Sequence, residues 1–408
     1  SKLKSIIFRK ENFFTGATVL TVTTFLSYVT GLLRDKMFAH TFGAGRELDI
    51  YNASFIIPDL ILTMLVSSAL SAAFIPLFTS LNTQGQKEKA NELANTVLHS
   101  ATLVILLFGG TIAIFMPWLS GLLAPGFNAE EQLTLVHLTR LMLISPLLMA
   151  VSSSLGAMLV SYKRFLAYGI SPVLYNLGIV AGTLTVAWLG IYGLVLGTLV
   201  GVLLHFLPRL IAIRKTPFKY HFKINWKDPN FLKMLILMLP KIIGQPVEQL
   251  NFMAFTRIAT LLAVGSVSSI SFARNFQSVP ISMFGIAFAL AIYPTLSECA
   301  AKSDKEGYVK NLKKAARDIL LFTIPSAIAL YFLSKFAIRI FLGGGKFTDA
   351  NIIQTATVLS AFAFSIPTES LVSLLARAFY ALKNTLIPVV FSVLNLIISV
   401  TFAYYQSK

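Results

Sequence analysis

The chain has 408 residues, of which 56% are hydrophobic and only 12% charged, with a net charge of +17. A soluble domain carries about 25% charged residues, so this composition excludes a soluble enzyme and describes a chain that crosses a bilayer many times. The basic residues are spread over short gaps between apolar runs, which is a topology signal rather than a nucleic-acid surface. The one cysteine, Cys299, excludes an intrachain disulfide and a cysteine metal site.

A spanning helix needs about 20 apolar residues. Eleven segments qualify: 12–40, 49–81, 91–116, 131–161, 168–188, 191–213, 231–262, 267–299, 312–333, 350–381 and 385–405. The first ends in Ser27-Tyr28-Val29-Thr30-Gly31-Leu32-Leu33-Arg34-Asp35-Lys36, where helical spacing puts Ser27, Gly31, Arg34 and Phe38 on one face. A charge kept there is either a functional group, because burying it costs several kcal/mol, or an arginine snorkelling to the headgroups. Asp49 opens the second span, whose polar stripe is Asn52, Asp59, Thr63, Ser67 and Ser71. The seventh carries Lys241, Gln245, Glu248 and Gln249, and the eighth Ser271, Arg274, Asn275, Ser278 and Ser282. The tenth has Ser365, Glu369, Ser373 and Arg377 at every fourth residue. Small polar residues on helices also serve packing. Charges on several striped faces point instead to a water-filled cavity with a positive field from Arg34, Lys241, Arg274 and Arg377. Arginine's planar fork grips phosphate oxygens in pairs, so an anionic, phosphorylated amphiphile fits this cavity better than an organic cation. Asp35, Asp49, Glu248 and Glu369 are read either as partners that exchange these cations between conformations or as structural ion pairs.

The gaps alternate in charge. Twenty-two basic residues, from Lys2 to Lys383, fall on the side of the N-terminus, against six (Arg34, Lys36, Arg46, Lys335, Arg339 and Lys346) on the other. The positive-inside rule therefore predicts a cytoplasmic N-terminus. Residues 215–230 form the longest gap, read as a solvated interlobe linker or as an amphipathic segment on anionic headgroups.

The chain also repeats. Ala73-Phe74-Ile75-Pro76 resembles Ala291-Ile292-Tyr293-Pro294, Pro125-Gly126-Phe127 corresponds to Gly345-Lys346-Phe347, Pro146 to Pro367, and Pro172 to Pro388, at offsets of 216 to 221. Parallel repeats of six helices are a transporter organisation with the site between the lobes. The expected fold is all-α and polytopic: two pseudo-symmetric six-helix lobes, 1–214 and 231–408, around a central cavity. The second is expected to be incomplete, because the partner of 191–213 would start near residue 409; the start at Ser1 reads as a trimmed N-terminus. No enzyme motif is found. In Gly343-Gly344-Gly345-Lys346-Phe347-Thr348 a phenylalanine stands where a phosphate loop needs Ser or Thr. The five histidines lack ligand spacing, and no cofactor is implied.

Gly31-Leu32-Leu33-Arg34-Asp35, Phe42-Gly43-Ala44-Gly45, Asp49, Ile57-Pro58, Ala124-Pro125-Gly126-Phe127, Ala273-Arg274 and Gly345-Lys346-Phe347-Thr348 together resemble the MurJ (MviN) lipid II flippases of the multidrug/oligosaccharidyl-lipid/polysaccharide exporter superfamily. The resemblance implies two six-helix lobes and a V-shaped cavity. It also implies flipping of an undecaprenyl-diphosphate-linked peptidoglycan precursor from the inner to the outer leaflet of the bacterial cytoplasmic membrane. Carried over by position, Arg34, Asp35, Asp49 and Arg274 match the family's charged residues, with Arg34 and Arg274 on the diphosphate. The sequence departs from the pattern at Tyr28, Asp59, Leu62, Thr63, Ser67 and Ser68, and Phe255 stands where some members have a sodium-binding aspartate. The expected partners are the lipid substrate and membrane lipids, with no nucleic acid, around a monomer. Another polyprenyl-diphosphate cargo and a transport-dead scaffold for cell-wall synthesis are the alternatives.

Overall fold

The computed structural model describes residues 13–67, 74–244, 246–382, 384 and 386–406. The first half holds α1 (Phe13–Phe42), α2 (Arg46–Leu62), a π-helical turn (Thr63–Ser67), α3 (Ile75–Thr83), α4 (Lys87–Leu123), α5 (Ala129–Met142), α6 (Ile144–Ser161), α7 (Phe165–Thr183), α8 (Val186–Leu189) and α9 (Ile191–Ile213). The second holds α10 (Pro229–Gly244), α11 (Pro246–Ala259), α12 (Ser266–Pro280), a π-helical turn (Ile281–Ile286), α13 (Ala287–Ala301), α14 (Lys305–Leu342), α15 (Asp349–Ala363), α16 (Ile366–Ala381) and α17 (Leu386–Gln406). The extended pairing described is a single bridge, Gly344 to Phe347.

Among the described residues eight helices are long and apolar enough to cross a membrane, or nine if α15 and α16, bent by 45°, form one span. The eleven expected spans include two outside this count. One is α1; the other is divided between α10, apolar only over Pro229–Met238, and α11, which carries Glu248 and Arg257.

The repeat is visible in the irregularities of the helices. The π turns begin at Thr63 and Ile281, 218 residues apart. The two helices of 37 and 38 residues, α4 and α14, start at Lys87 and Lys305 with the same offset. Two capping boxes, Asn128 with Glu131 and Thr348 with Asn351, open α5 and α15 after the corresponding turns. A π turn leaves a local mismatch in the hydrogen-bond ladder and is frequent at functional sites.

The chain divides into two compact units. One comprises Ser1–Met37, Ile50–Leu261 and Phe402–Lys408, the other Phe38–Asp49 and Leu262–Thr401. In the first unit the closest packing is α7 on α9, made possible by glycines. A Cβ on Gly182 would lie 2.5 Å from the Cα of Gly197, and Gly178 faces Gly201 in the same way. Small residues let helix backbones approach where lipid offers no hydrophobic drive for association. Gly182→Val is expected to lower stability by about 2–3 kcal/mol through overpacking, read as an earlier thermal unfolding midpoint in detergent; an unchanged midpoint would show that the two helices part at little cost. In the second unit Ala289, Ala315, Ile319 and Leu374 form one buried cluster of α13, α14 and α16, and Ile281, Ala363 and Ile366 another beside the π turn.

Candidate functional site

In the first unit the site is built on α1. The guanidinium of Arg34 donates from Nη2 to Asp35 Oδ1 at 2.9 Å and from Nε to the same oxygen at 3.1 Å. Adjacent residues on a helix do not ordinarily face one another, so this pair depends on the particular direction the guanidinium takes. Asp35 is buried, whereas the Arg34 side chain remains 23% exposed. Nη1 donates to Asn176 Oδ1 on α7 at 3.1 Å, and Asn176 Nδ2 donates to the Ser27 carbonyl at 3.2 Å. Asn176 thus spans the Ser27–Gly31–Arg34 face and fixes the direction of the guanidinium. The sequence reading missed it; the available signal was an amide, the only one in α7, within an apolar helix.

The second unit contains Asp49, Arg274, Glu369 and Arg377. Asp49 is buried. Its Oδ2 accepts from the Gly265 N–H at 2.8 Å, and its Oδ1 accepts from the Ser268 N–H at 2.8 Å and the Ser268 hydroxyl at 2.7 Å. Gly265 is the N-cap of α12, held at φ +87°, and has no side chain to cap with. A carboxylate 216 residues away in sequence does that work, where the helix dipole favours negative charge. Arg274 lies two turns along α12, half-buried. One turn further, Gln277 donates from Nε2 to Ser365 and to Glu369 Oε1 at 2.9 Å, and the Ser365 hydroxyl donates to the same Glu369 oxygen at 2.7 Å. This triad ties α12 to the bend between α15 and α16. Arg377 donates to the Ser373 carbonyl of its own helix at 2.8 Å.

Of the remaining expected site residues, Asp59 on α2 and Glu248 on α11 are exposed and belong to the first unit. Lys241 falls on α10 of that unit, and its side chain lies outside the described residues, as do those of Ser67 and Ser71.

One basic residue counted among the gap cations is corrected. Arg209 is buried within α9, with Nε donating to Ser171 Oγ at 3.1 Å, Nη1 to the Ser152 carbonyl at 3.0 Å, and the guanidinium 4.9 Å from the Tyr168 ring centroid. It staples α6, α7 and α9, and its cost of burial is offset by hydrogen bonds and the aromatic face rather than by an acid. Its position just after Pro208 near a helix end made it look like a gap residue.

Two contacts, one in each unit, correspond by position in the repeat. The Lys346 N–H donates to the His40 carbonyl at 2.9 Å inside the second unit. The Gly126 N–H donates to Thr260 Oγ1 at 3.3 Å inside the first, where Arg257 also reaches the Leu122 carbonyl. His40 and Thr260 are 220 residues apart, as are Gly126 and Lys346. Gly126 has no room for a Cβ against the Thr260 carbonyl, so the turn can close there only on glycine. The second unit therefore takes up the end of α1, and the first unit takes up α10 and α11 from the second repeat.

Two parallel helical repeats with π turns at matching places, eight or nine membrane-length apolar helices among the described residues, and charges held by specific partners define a polytopic membrane transporter. The chain belongs to the lipid II flippase MurJ family, whose model matches residues 38–406. Similar curated relatives are the lipid II flippase MurJ of Burkholderia cenocepacia, 28% identical over 95% of this chain and 77% of its own, and the probable lipid II flippase MurJ of Rickettsia prowazekii, 27% identical over 95% and 76%. Among solved structures, a lipid II flippase MurJ in an inward closed conformation superposes with a TM-score of 0.79 at 25% identity, covering 96% of this chain and 85% of that one. A multidrug-resistance MATE transporter, at 14% identity and a TM-score of 0.68 over 93% and 94%, shares the fold.

Proposed function

We propose that the protein flips the lipid-linked peptidoglycan precursor lipid II across the bacterial cytoplasmic membrane, from inner to outer leaflet, by alternating access. Family membership supports the cargo. The observation that supports the mechanism is Arg34: a guanidinium oriented by Asp35 and Asn176 on a membrane helix, with part of its surface exposed. Such a fork is preorganised for paired contacts to a diphosphate. Arg274 is its proposed partner from the second repeat. Lys241, Glu248, Asp59, Glu369 and Arg377 are assigned to the wall around the cargo, with Glu369 tuning the bend of α15–α16 through Gln277. In this reading the N-terminus is cytoplasmic, so the end of α1 at His40 is external. The working form is a monomer in contact with its lipid substrate and bulk lipids, with no nucleic-acid partner and no catalysed bond change.

The test is native mass spectrometry of the purified protein with lipid II or undecaprenyl phosphate. Retention of lipid II in preference to the monophosphate is expected, and equal retention of both would overturn the diphosphate assignment.

A further inference from the structure

The segment joining the two repeats is neither a free loop nor a helix. From Lys219 to Trp226 it runs along the start of α4, its backbone satisfied by side chains of that helix. The Lys219 N–H donates to Asn91 Oδ1 at 3.2 Å, the His221 N–H to Asn95 Oδ1 at 2.9 Å and the Asn225 N–H to Thr96 Oγ1 at 3.1 Å. Asn95 Nδ2 returns a bond to the Lys219 carbonyl at 3.0 Å. His99 binds the Tyr220 hydroxyl at 3.0 Å and meets the Phe222 ring edge-on, with centroids 4.9 Å apart, and Trp226 Nε1 donates to Ser100 Oγ at 3.0 Å. The segment is thus a fixed strap, all of it within the first unit.

Its height is set by α4. Lys87, Glu88, Lys89 and Glu92 are the charged residues of that helix, and none follows from Ser100 to Leu123. The hydrocarbon boundary therefore falls near Ser100, and Asn91 sits about 14 Å further out at 1.5 Å rise per residue. Three aromatic rings are carried to that boundary and left outward: Tyr220 is 59% exposed, Phe222 81% and Trp226 55%. Lysines alternate with them at 219, 223 and 227, and the nearest acid in the strap sequence, Asp228, is buried. Lys223 makes one loose contact, 3.6 Å to Glu92. Aromatic rings with polar edges favour the headgroup level, and clustered lysines just outside a membrane helix attract anionic lipid.

We propose that the strap is a binding surface for anionic phospholipid headgroups, with the aromatic rings inserted at the acyl boundary and Lys219, Lys223 and Lys227 on the phosphates. It would anchor the connection between the repeats to one leaflet. An acidic protein surface would satisfy the lysines but not rings placed at the hydrocarbon edge.

Three tryptophans are present, Trp118, Trp188 and Trp226. Trp118→Phe with Trp188→Phe leaves Trp226 as the sole reporter in full-length protein reconstituted into vesicles. Quenching is compared with brominated phosphatidylglycerol and brominated phosphatidylcholine at equal mole fraction. Quenching by both is expected, with an apparent preference of about fivefold for phosphatidylglycerol, which corresponds to about 1 kcal/mol over the whole strap. The preference should fall to about one in the combined Lys219→Gln, Lys223→Gln, Lys227→Gln variant, while quenching by phosphatidylcholine persists. Absence of quenching by either lipid would place the strap against something other than lipid and overturn the proposal. So would equal quenching by both, or a preference that survives the lysine changes.

Discussion

Arg34→Ala is expected to abolish lipid II retention, with a loss of affinity of about 100-fold or more. Two charge-assisted bonds to a diphosphate are each worth about 1.5–3 kcal/mol, and 100-fold corresponds to about 2.8 kcal/mol. The variant should also lose about 2–3 kcal/mol of stability, because it takes the guanidinium from buried Asp35. That figure is below the 3–5 kcal/mol of a fully buried pair, since the Arg34 side chain is 23% exposed. The two effects separate in the double variant Arg34→Ala, Asp35→Asn. Removing the buried Asp35 charge should return the thermal midpoint most of the way, while binding stays lost. Arg34→Lys should fold well and bind weakly, because an ammonium lacks the planar fork. If the double variant regained lipid II binding along with its stability, Arg34 would be a structural residue and the cargo contact would lie elsewhere.

Asp49→Ala is expected to cost about 2–4 kcal/mol and to loosen the start of α12. It removes the acceptor for two backbone N–H groups and one hydroxyl, and the N-cap Gly265 offers no substitute. Asp49→Asn keeps one acceptor oxygen and should cost roughly half as much. The readout is the labelling rate of a cysteine introduced by Ser266→Cys in a Cys299→Ser background, with a membrane-impermeant reagent. A rise of about 30-fold in Asp49→Ala corresponds to about 2 kcal/mol in favour of the frayed helix start. Unchanged labelling and an unchanged melting midpoint would mean that α12 is capped well enough without the carboxylate. Because Asp49 lies in the first turn of α2 while α12 begins the second-repeat equivalent of that helix, this contact joins corresponding helix starts of the two repeats. Its proposed role is therefore in fixing the start of α12 rather than in gripping cargo.

Much of this molecule was legible in its residues. Long apolar runs can hydrogen-bond internally only as helices in lipid, so composition alone determined an all-helical membrane protein. Prolines and turns recurring about 220 residues apart determined the repeat, and the π turns at Thr63 and Ile281 repeat it at the level of backbone geometry. Arg34, Asp35 and Arg274 stood out because a charge at membrane depth is costly and is kept for a reason. Tertiary structure decided which groups those charges meet. Asn176 on Arg34, Asp49 on the start of α12, Arg209 among α6, α7 and α9, and the strap along α4 all join residues 38 to 219 positions apart. Helical periodicity reports which face a side chain occupies within its own helix. It carries nothing about the rotation or height of the neighbouring helix, and those two quantities select the partner.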